Sequence, residues 1–370
     1  MSGRVSLAIG PARIGPAGIG YYVHHHGRGH TNRARQIIAH LDELVTVFSS
    51  SPHAQEPWPQ RQVNVVPLPL DVDASAPTGQ DWPEVFHYAP LQVPGIRERM
   101  LLLAQWAEAT NPRVLVVDVS VEIALFARLL SVPTIIVRQS GRRDDLPHRT
   151  AYQSSSGLLA PYAAALEEPD TPVWMREKTC YAGGFSRYAD RSLSKREARK
   201  QLSIPSGQPT VVVMSGWGGS GNPLATIAAA AQRCPGWQWW VVGPAPDVPE
   251  PLPENVNLVG TVADTFPYLV AADVVVGSAG NNTVMEVATA GTPYVCIPEA
   301  RPFDEQLRKA EAIARTGGAL MLPNWPEPER WPEVLKEAQK LKPRALAELV
   351  NARGAEKAAQ FITRVASNYG

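Results

Sequence analysis

Only three cysteines occur in 370 residues, Cys180, Cys234 and Cys296. They are too few and too scattered for a disulfide framework or a zinc site. Free thiols inside apolar stretches suit a reducing cytosol. No apolar run reaches the ~18 residues of a membrane span. Net charge is missing as well, since 35 basic side chains balance 35 acidic ones. A dedicated nucleic-acid binder would normally be basic, so no nucleic-acid partner is expected. No repeat of fixed period is present. The apolar stretch that follows Arg4 is broken by Gly10-Pro11 and stopped by Arg13. Residues 1–18 therefore read as a frayed extension rather than a signal peptide.

What the chain does have is hydrophobic residues at 44% and 35 prolines, the latter roughly twice the usual ~5%. The composition is globular, and the length suggests two domains, each large enough to bury its own core. Prolines concentrated in connections stiffen the loops.

Short β-branched runs alternate with helical stretches. Strands are expected at Ile19–His24, Leu44–Phe48, Val63–Pro67, Val114–Asp118 and Thr134–Val137, with helices at Thr31–Leu41, Arg97–Ala109 and Val121–Leu130. In the second of these helices Met100, Leu101, Ala104 and Ala107 lie on one face. A charged stretch, Phe185–Gln208, marks the domain junction, read either as a basic patch or as a solvated linker helix. The rhythm then restarts: strands at Thr210–Met214, Trp237–Val242, Val256–Val259, Val274–Gly277 and Tyr294–Ile297, and helices at Leu224–Arg233, Phe266–Ala272, Asn282–Ala290 and Asp304–Thr316. Continuous Val/Ile runs separated by helices indicate parallel sheets covered on both faces. The expected fold is α/β, with two doubly wound Rossmann-like halves and a cleft between them; ligands in such sheets bind beyond the carboxyl ends of the strands.

Four segments carry chemistry. The first runs from Tyr21 through His24-His25-His26-Gly27-Arg28-Gly29-His30 to Ala34, a strand, a glycine turn and a helix start. Gly27 and Gly29 permit a tight turn and close approach to a ligand. The helix start favours negative charge. His30 at that mouth is the candidate general base. The consecutive histidines suggest a metal, but neighbours in an extended chain point to opposite faces, so no metal is expected. The second segment, Ser215-Gly216-Trp217-Gly218-Gly219-Ser220-Gly221, is a nest of amides suited to phosphate. It lacks the lysine of a nucleoside-triphosphate loop. The third, Gly277-Ser278-Ala279-Gly280-Asn281-Asn282-Thr283-Val284-Met285-Glu286, repeats strand, glycine turn and helix N-terminus. Glu286 lies on the same face as Asn282 and could accept hydrogen bonds from a sugar diol, or merely favour the helix dipole. The fourth, Pro298–Gln306, brings Asp304, Glu305 and Gln306 to a helix start, where Asp304 could also serve as N-cap.

Gly277–Gly291 followed by Pro298–Gln306 resembles the C-terminal signature of inverting GT-B glycosyltransferases. The likeness is greatest to family 28, which includes the N-acetylglucosaminyltransferase of peptidoglycan lipid-intermediate synthesis and the diacylglycerol glycosyltransferases. Gly27-Arg28-Gly29-His30 resembles the family's first glycine loop, and Tyr181-Ala182-Gly183-Gly184 the segment closing its first domain. The resemblance implies an acceptor-side domain over residues 19–185 and a nucleotide-sugar domain over 186–352, with a helix in 353–370 packing back on the first. It implies that Glu286 binds the ribose of a UDP-sugar. Ser215–Gly221 and Gly280–Thr283 would hold the diphosphate, backbone near Thr261–Val262 would read the base, and Asp304, Glu305 and Gln306 would face the sugar. Arg28 departs from the small residue that the peptidoglycan enzymes prefer there.

The acceptor half is less informative. Asp118 at a strand end is an orienting or catalytic carboxylate, or else a turn aspartate. Trp82–Tyr88 is expected to pack in the core, with an acceptor sugar or a membrane surface as alternatives. Arg138–Arg143 either meets an anionic acceptor or is surface charge. Asp71-Val72-Asp73 is the nearest approach to a metal triplet and lies in a Pro-rich loop. The expected function is inverting, metal-independent transfer from a UDP-sugar to a hydroxyl acceptor, with no separate cofactor. The expected location is the cytoplasm, with a peripheral contact at the inner membrane face. Its rivals are a nucleotide-sugar hydrolase, whose Gly-X-Gly-His-X-X-Arg loop is met by Gly27, Gly29, His30 and Arg33, and a non-catalytic nucleotide-sugar-binding subunit.

Overall fold

The computed structural model describes residues 18–25, 28–58, 62–72, 83–214, 224–244 and 251–369. The first half contains β1 (Ile19–Val23), α1 (Gly29–Ile38), β2 (Val45–Ser49), β3 (Val63–Pro67), α2 (Pro94–Thr110), β4 (Val114–Asp118), α3 (Val121–Leu129), β5 (Thr134–Val137), α4 (Leu146–Ser154), β6 (Gly157–Ala160), α5 (Val173–Lys178) and β7 (Thr179–Tyr181). After α6 (Lys195–Gln201) the second half runs β8 (Thr210–Met214), α7 (Leu224–Gln232), β9 (Gln238–Val242), β10 (Val256–Gly260), α8 (Phe266–Ala271), β11 (Val274–Gly277), α9 (Asn281–Ala290), β12 (Tyr294–Cys296), α10 (Glu305–Arg315) and β13 (Ala319–Met321). Three helices follow, α11 (Trp331–Ala338), α12 (Pro343–Ala347) and α13 (Gly354–Ala366).

The seven-stranded first sheet has the order β3-β2-β1-β4-β5-β6-β7 and the six-stranded second β10-β9-β8-β11-β12-β13. Every strand pair is parallel. Central strands β1, β4, β5, β8 and β11 are buried nearly throughout, because helices cover both faces, whereas edge strands β3 and β10 are partly exposed. The strand order reverses at β1/β4 in one sheet and at β8/β11 in the other. These two switch points are where an α/β sheet opens a crevice for ligand.

The last helix does not stay with the second half. Ala358, Ala359, Phe361 and Ile362 of α13 join Tyr21, Val116 and Leu159 in the core of the first sheet. The chain crosses back where Gly184 N–H donates to Leu349 O at 3.0 Å and Asn351 N–H donates to Gly184 O at 2.6 Å. A Cβ at Gly184 would lie 1.9 Å from Met285 Sδ, so the crossing admits no side chain there.

Two readings of the sequence need correction. α1 begins at Gly29, so Gly29 opens the helix instead of forming the turn before it. In α2 the buried residues are Arg99 and Leu103, while Leu101 is exposed. The face turns inward around Arg99 because Asp71, Ser50 and Tyr22 satisfy its guanidinium. The charged junction holds a mostly exposed helix rather than a basic patch: α6 carries a Ser194/Glu197 capping box, and Lys195 and Arg199 both bind Asp273, at 2.6 and 2.7 Å.

Candidate active site

His30 follows β1 and Asp118 ends β4, so both stand at the switch point of the first sheet. Asp118 pairs in register with Val23, the last residue of β1. Its side chain is fully buried. His30 Nδ1 lies 3.1 Å from Asp118 Oδ1. Arg33, one turn further along α1, donates to both Asp118 oxygens at 2.6 and 2.8 Å through one terminal nitrogen and at 3.3 Å through Nε. Burial alone would raise the Asp118 pKa, but the Arg33 guanidinium and then His30 outweigh it and hold it at about 2. Asp118 is thus a fixed carboxylate, placed to orient the His30 ring.

The same Arg33 nitrogen also lies 3.0 Å from His30 Nδ1. Its two hydrogens are already engaged by Asp118, so the consistent tautomer has Nδ1–H donating to Asp118. That leaves the Nε2 lone pair of His30 available to take a proton. The chain leaves β4 through Val119 at φ 66°, a left-handed conformation that β-branched residues rarely adopt. Strain of this kind costs roughly 1–3 kcal/mol and gathers at functional sites.

His24 packs against this pair, its ring centre 5.5 Å from that of His30 and tilted by 51°. His24 and His25 stack at 4.7 Å with 15° between planes, so they share a side, contrary to the alternation expected of a strand. β1 ends at Val23, so both histidines lie beyond the strand whose alternation was expected of them. His26 and Gly27 lie outside the described residues, while Arg28 is the N-cap of α1 and reaches Glu56 at 3.2 Å. Among the described residues no group of three or more metal-ligating side chains is present. Asp71 is bound by Arg99 at 2.6 Å, and Asp73 lies outside the described residues.

The second half faces this pair with the N-terminus of α9. A Cβ at Gly29 would lie 3.8 Å from Asn282 Nδ2, so the starts of α1 and α9 meet across the cleft. Ser278 sits in the turn after β11, where its carbonyl accepts from Tyr294 Oη at 2.6 Å. Gly280 is the N-cap of α9, and Asn281, Asn282 and Thr283 form its first turn. Glu286 is buried one turn further in and is held by Arg187 Nε at 3.0 Å and Thr265 Oγ1 at 3.2 Å. Burial raises its pKa, against the pull of Arg187. Val262 is half-buried in the loop after β10. Ser215, Gly216, Gly218 and Gly219 lie outside the described residues.

Loop 298–306 is pinned in a different way from the sequence reading. Asp304 is exposed, adopts φ 54° and makes no side-chain cap bond. Gln306 is buried, and its Oε1 accepts from Glu299 N at 3.0 Å. Glu305 reaches across the cleft to Arg143 at 3.2 Å. Arg143 also stacks on Phe303, 4.6 Å from the ring centre. Gly141, at φ 101°, allows Arg142 N–H to donate to Phe303 O at 2.8 Å; a Cβ there would come within 2.5 Å of that oxygen.

Arg138 and Arg143 are therefore not surface charge. Arg138 is buried against Glu167 at 2.6 Å. Nor is the segment before α2 core: Val85 and Phe86 are exposed, because the described part of the loop lies outside the sheet layers, while Trp82 is outside the described residues. His87 instead clusters with His148 and Phe303, its ring centre 5.2 Å from each of theirs. With Val119, the residue after Asp118, and with Ile136 and Tyr152, His87 and His148 line a small cleft.

Sequence reasoning overlooked the partners of two carboxylates, Arg143 across the cleft for Glu305 and Arg187 for Glu286. It also overlooked Lys309, which is 4% exposed on α10. Periodicity held a signal for Lys309, since Gln306, Lys309, Ala310 and Ile313 follow the buried-face spacing of a helix.

Residues 250–365 match the Glycosyltransferase family 28 C-terminal domain. An uncharacterized glycosyltransferase of Methanosarcina mazei is 28% identical over 61% of this chain and 64% of its own. The UDP-N-acetylglucosamine–N-acetylmuramyl-(pentapeptide) pyrophosphoryl-undecaprenol N-acetylglucosamine transferase of Acetivibrio thermocellus is 28% identical over 43% of this chain and 46% of its own. The matched region thus spans less than two thirds of either relative. Among solved structures, the glycotransferase of kitacinnamycin superposes with a TM-score of 0.67 at 18% identity, covering 95% of this chain and 99% of that one. Phytolacca americana UGT2, complexed with UDP-2-fluoro-glucose and pterostilbene, gives 0.67 at 15% identity, covering 96% and 100%. The chain is therefore family 28-like, with the GT-B fold throughout and the family's C-terminal domain over residues 250–365.

Proposed function

We propose that the protein is a glycosyltransferase that moves a sugar from a UDP-sugar to a hydroxyl acceptor, inverting the anomeric centre and using no divalent metal. The observation that carries this reading is the His30–Asp118 pair standing opposite the N-terminus of α9. His30 Nε2 takes the acceptor's hydroxyl proton while Asp118 holds the resulting imidazolium. The acceptor oxygen bonds to the anomeric carbon as the bond to the diphosphate breaks. The electron pair leaves with the diphosphate toward the amides of Asn282 and Thr283, which carry the positive end of the helix dipole. A single displacement with base and leaving group on opposite sides gives inversion. Glu286 takes the ribose hydroxyls, Val262 backbone the base, and Asp304 and Glu305 the sugar. Two proteins with this likeness are named with UDP-linked sugars, which supports a UDP donor.

No helix among the described residues is long and apolar enough to cross a membrane. The exposed Leu70, Val72, Val85, Phe86 and Leu91 in one stretch of chain support a peripheral contact at the inner membrane face.

The test is product analysis with a panel of UDP-sugars and hydroxyl acceptors, with and without chelator. A glycoside of inverted configuration, formed equally with chelator present, is expected. Free sugar as the sole product would instead make the protein a hydrolase. Tight binding with no turnover would make it a binding subunit.

A further inference from the structure

Lys309 is a buried cation in the interdomain cleft, and the carboxylate that acts on it, Glu305, is already paired with Arg143. Lys309 Nζ donates to Asn281 Oδ1 at 3.3 Å. Among the described residues no carboxylate oxygen lies within 4.0 Å of it. It opens onto a small cavity, walled also by Arg33, Arg138, Asn281 and Glu305. The other charges of that wall are already paired: Arg33 with Asp118, Arg138 with Glu167, and Glu305 with Arg143. One positive charge is left over. A buried ammonium with two unused donors is costly unless something polar comes to meet it.

The second observation is where the ammonium points. Asn281 opens α9, a helix of ten residues. Its first amides have no intrahelical acceptors and carry the positive end of the dipole. A lysine from α10 and the start of α9 thus converge on one space, which the first domain closes from the other side.

We propose that this cavity is an oxyanion subsite. Lys309 and the first turn of α9 take an anionic oxygen carried by the donor, either on the phosphate next to the sugar or as a carboxylate on the sugar itself. The assignment rests on the reading of the protein as a nucleotide-sugar enzyme and adds to it a charged contact on the donor's leaving-group side. Burial pushes the Lys309 pKa down from the ordinary lysine range, and a bound anion opposes that shift.

The test compares the full chain with Lys309→Met, which keeps the length of the side chain and removes its charge, and with Lys309→Arg as the conservative variant. Without ligand, Lys309→Met should melt at or above the wild-type temperature, since an unmatched buried charge is gone. A fall of more than about 4 °C would make Lys309 a structural cation and overturn the proposal. Calorimetry then uses inorganic pyrophosphate, uridine, UMP, UDP, UDP-glucose and UDP-glucuronate. Pyrophosphate affinity should fall at least tenfold in Lys309→Met and recover partly in Lys309→Arg, with uridine unchanged. A tenfold gain of UDP over UMP that vanishes in the variant assigns the oxyanion to the phosphate. A tenfold gain of UDP-glucuronate over UDP-glucose that vanishes likewise assigns it to a sugar carboxylate. Affinities for pyrophosphate, UDP and UDP-glucuronate within twofold of wild type would overturn the subsite. Lys309-dependent pyrophosphate binding with no affinity for any uridine compound would keep the subsite and remove the nucleotide-sugar reading.

Discussion

The two switch points are built from different materials. In the first half, Asp118 and Arg33 are fixed in a buried ion pair, and His30 is fixed by them. In the second, the groups proposed to face the nucleotide are the amides of a helix start and the carboxylate of Glu286, whose partner Arg187 is 43% exposed. A buried pair cannot exchange its partner cheaply, whereas a carboxylate held by an exposed arginine can. The half that would perform proton transfer is rigid, and the half that would bind a ligand holds its groups with replaceable contacts. Preorganisation is needed where charge develops, and exchangeability where a ligand must enter and leave.

The sharpest way to break this contrast is His30→Ala. Removal of a general base typically costs about 10²–10⁴ in rate. Turnover should fall at least a hundredfold with nucleotide affinity unchanged. Turnover within a few fold of wild type would show that His30 is not the base. Next comes Asp118→Ala, which strands Arg33 as an unpaired buried cation and should cost about 3–5 kcal/mol of folding stability in urea titrations. A loss below about 1 kcal/mol would mean the pair is not buried in solution as it is here.

A third test concerns His148, also in the first half. Burial lowers its pKa from 6.5 to about 4, although Asp145 pulls the other way. The unfolded chain therefore takes up a proton between pH 6.5 and 4 that the folded chain refuses. Stability should be full above pH 6.5 and fall as pH drops through 4, by roughly 3 kcal/mol from this group. Urea titrations at pH 7 and pH 4.5 should show a smaller drop for His148→Asn than for wild type. Equal drops would show that His148 is not held neutral. The smallest effect belongs to the replaceable half. Glu286→Ala should weaken UDP binding about tenfold, or 1.4 kcal/mol, with the fold intact. Unchanged affinity would remove the ribose assignment.

Much of this architecture was legible in the sequence, for a physical reason. Strands Val63–Pro67, Val114–Asp118, Thr134–Val137, Thr210–Met214 and Val274–Gly277 have the bounds expected of them. Most are continuous β-branched runs between turn residues, which a buried parallel strand requires. β6 was not legible, because Gly157-Leu158-Leu159-Ala160 contains no β-branched residue and is strand only through its neighbours β5 and β7. His30 and Asp118 were each visible as candidates, but not as partners. They lie 88 positions apart, and only the β1–β4 pairing brings them together. Arg187 and Glu286 are separated by 99 positions across the junction between halves, so no local pattern could join them.

The return of α13 has a bearing on how the protein is made. The core of the first sheet includes Phe361, Ile362 and Val365, so the half synthesised first cannot bury its own apolar face with its own residues. At 5–20 residues per second, Ala366 leaves the ribosome's catalytic centre roughly 10–40 s after Phe185 does. During that interval the second half can fold alone, while the first must wait with one face of its sheet uncovered. Assembly of the cleft thereby waits for α13, and a message cut short after β13 would yield a complete second sheet beside an unfinished first one.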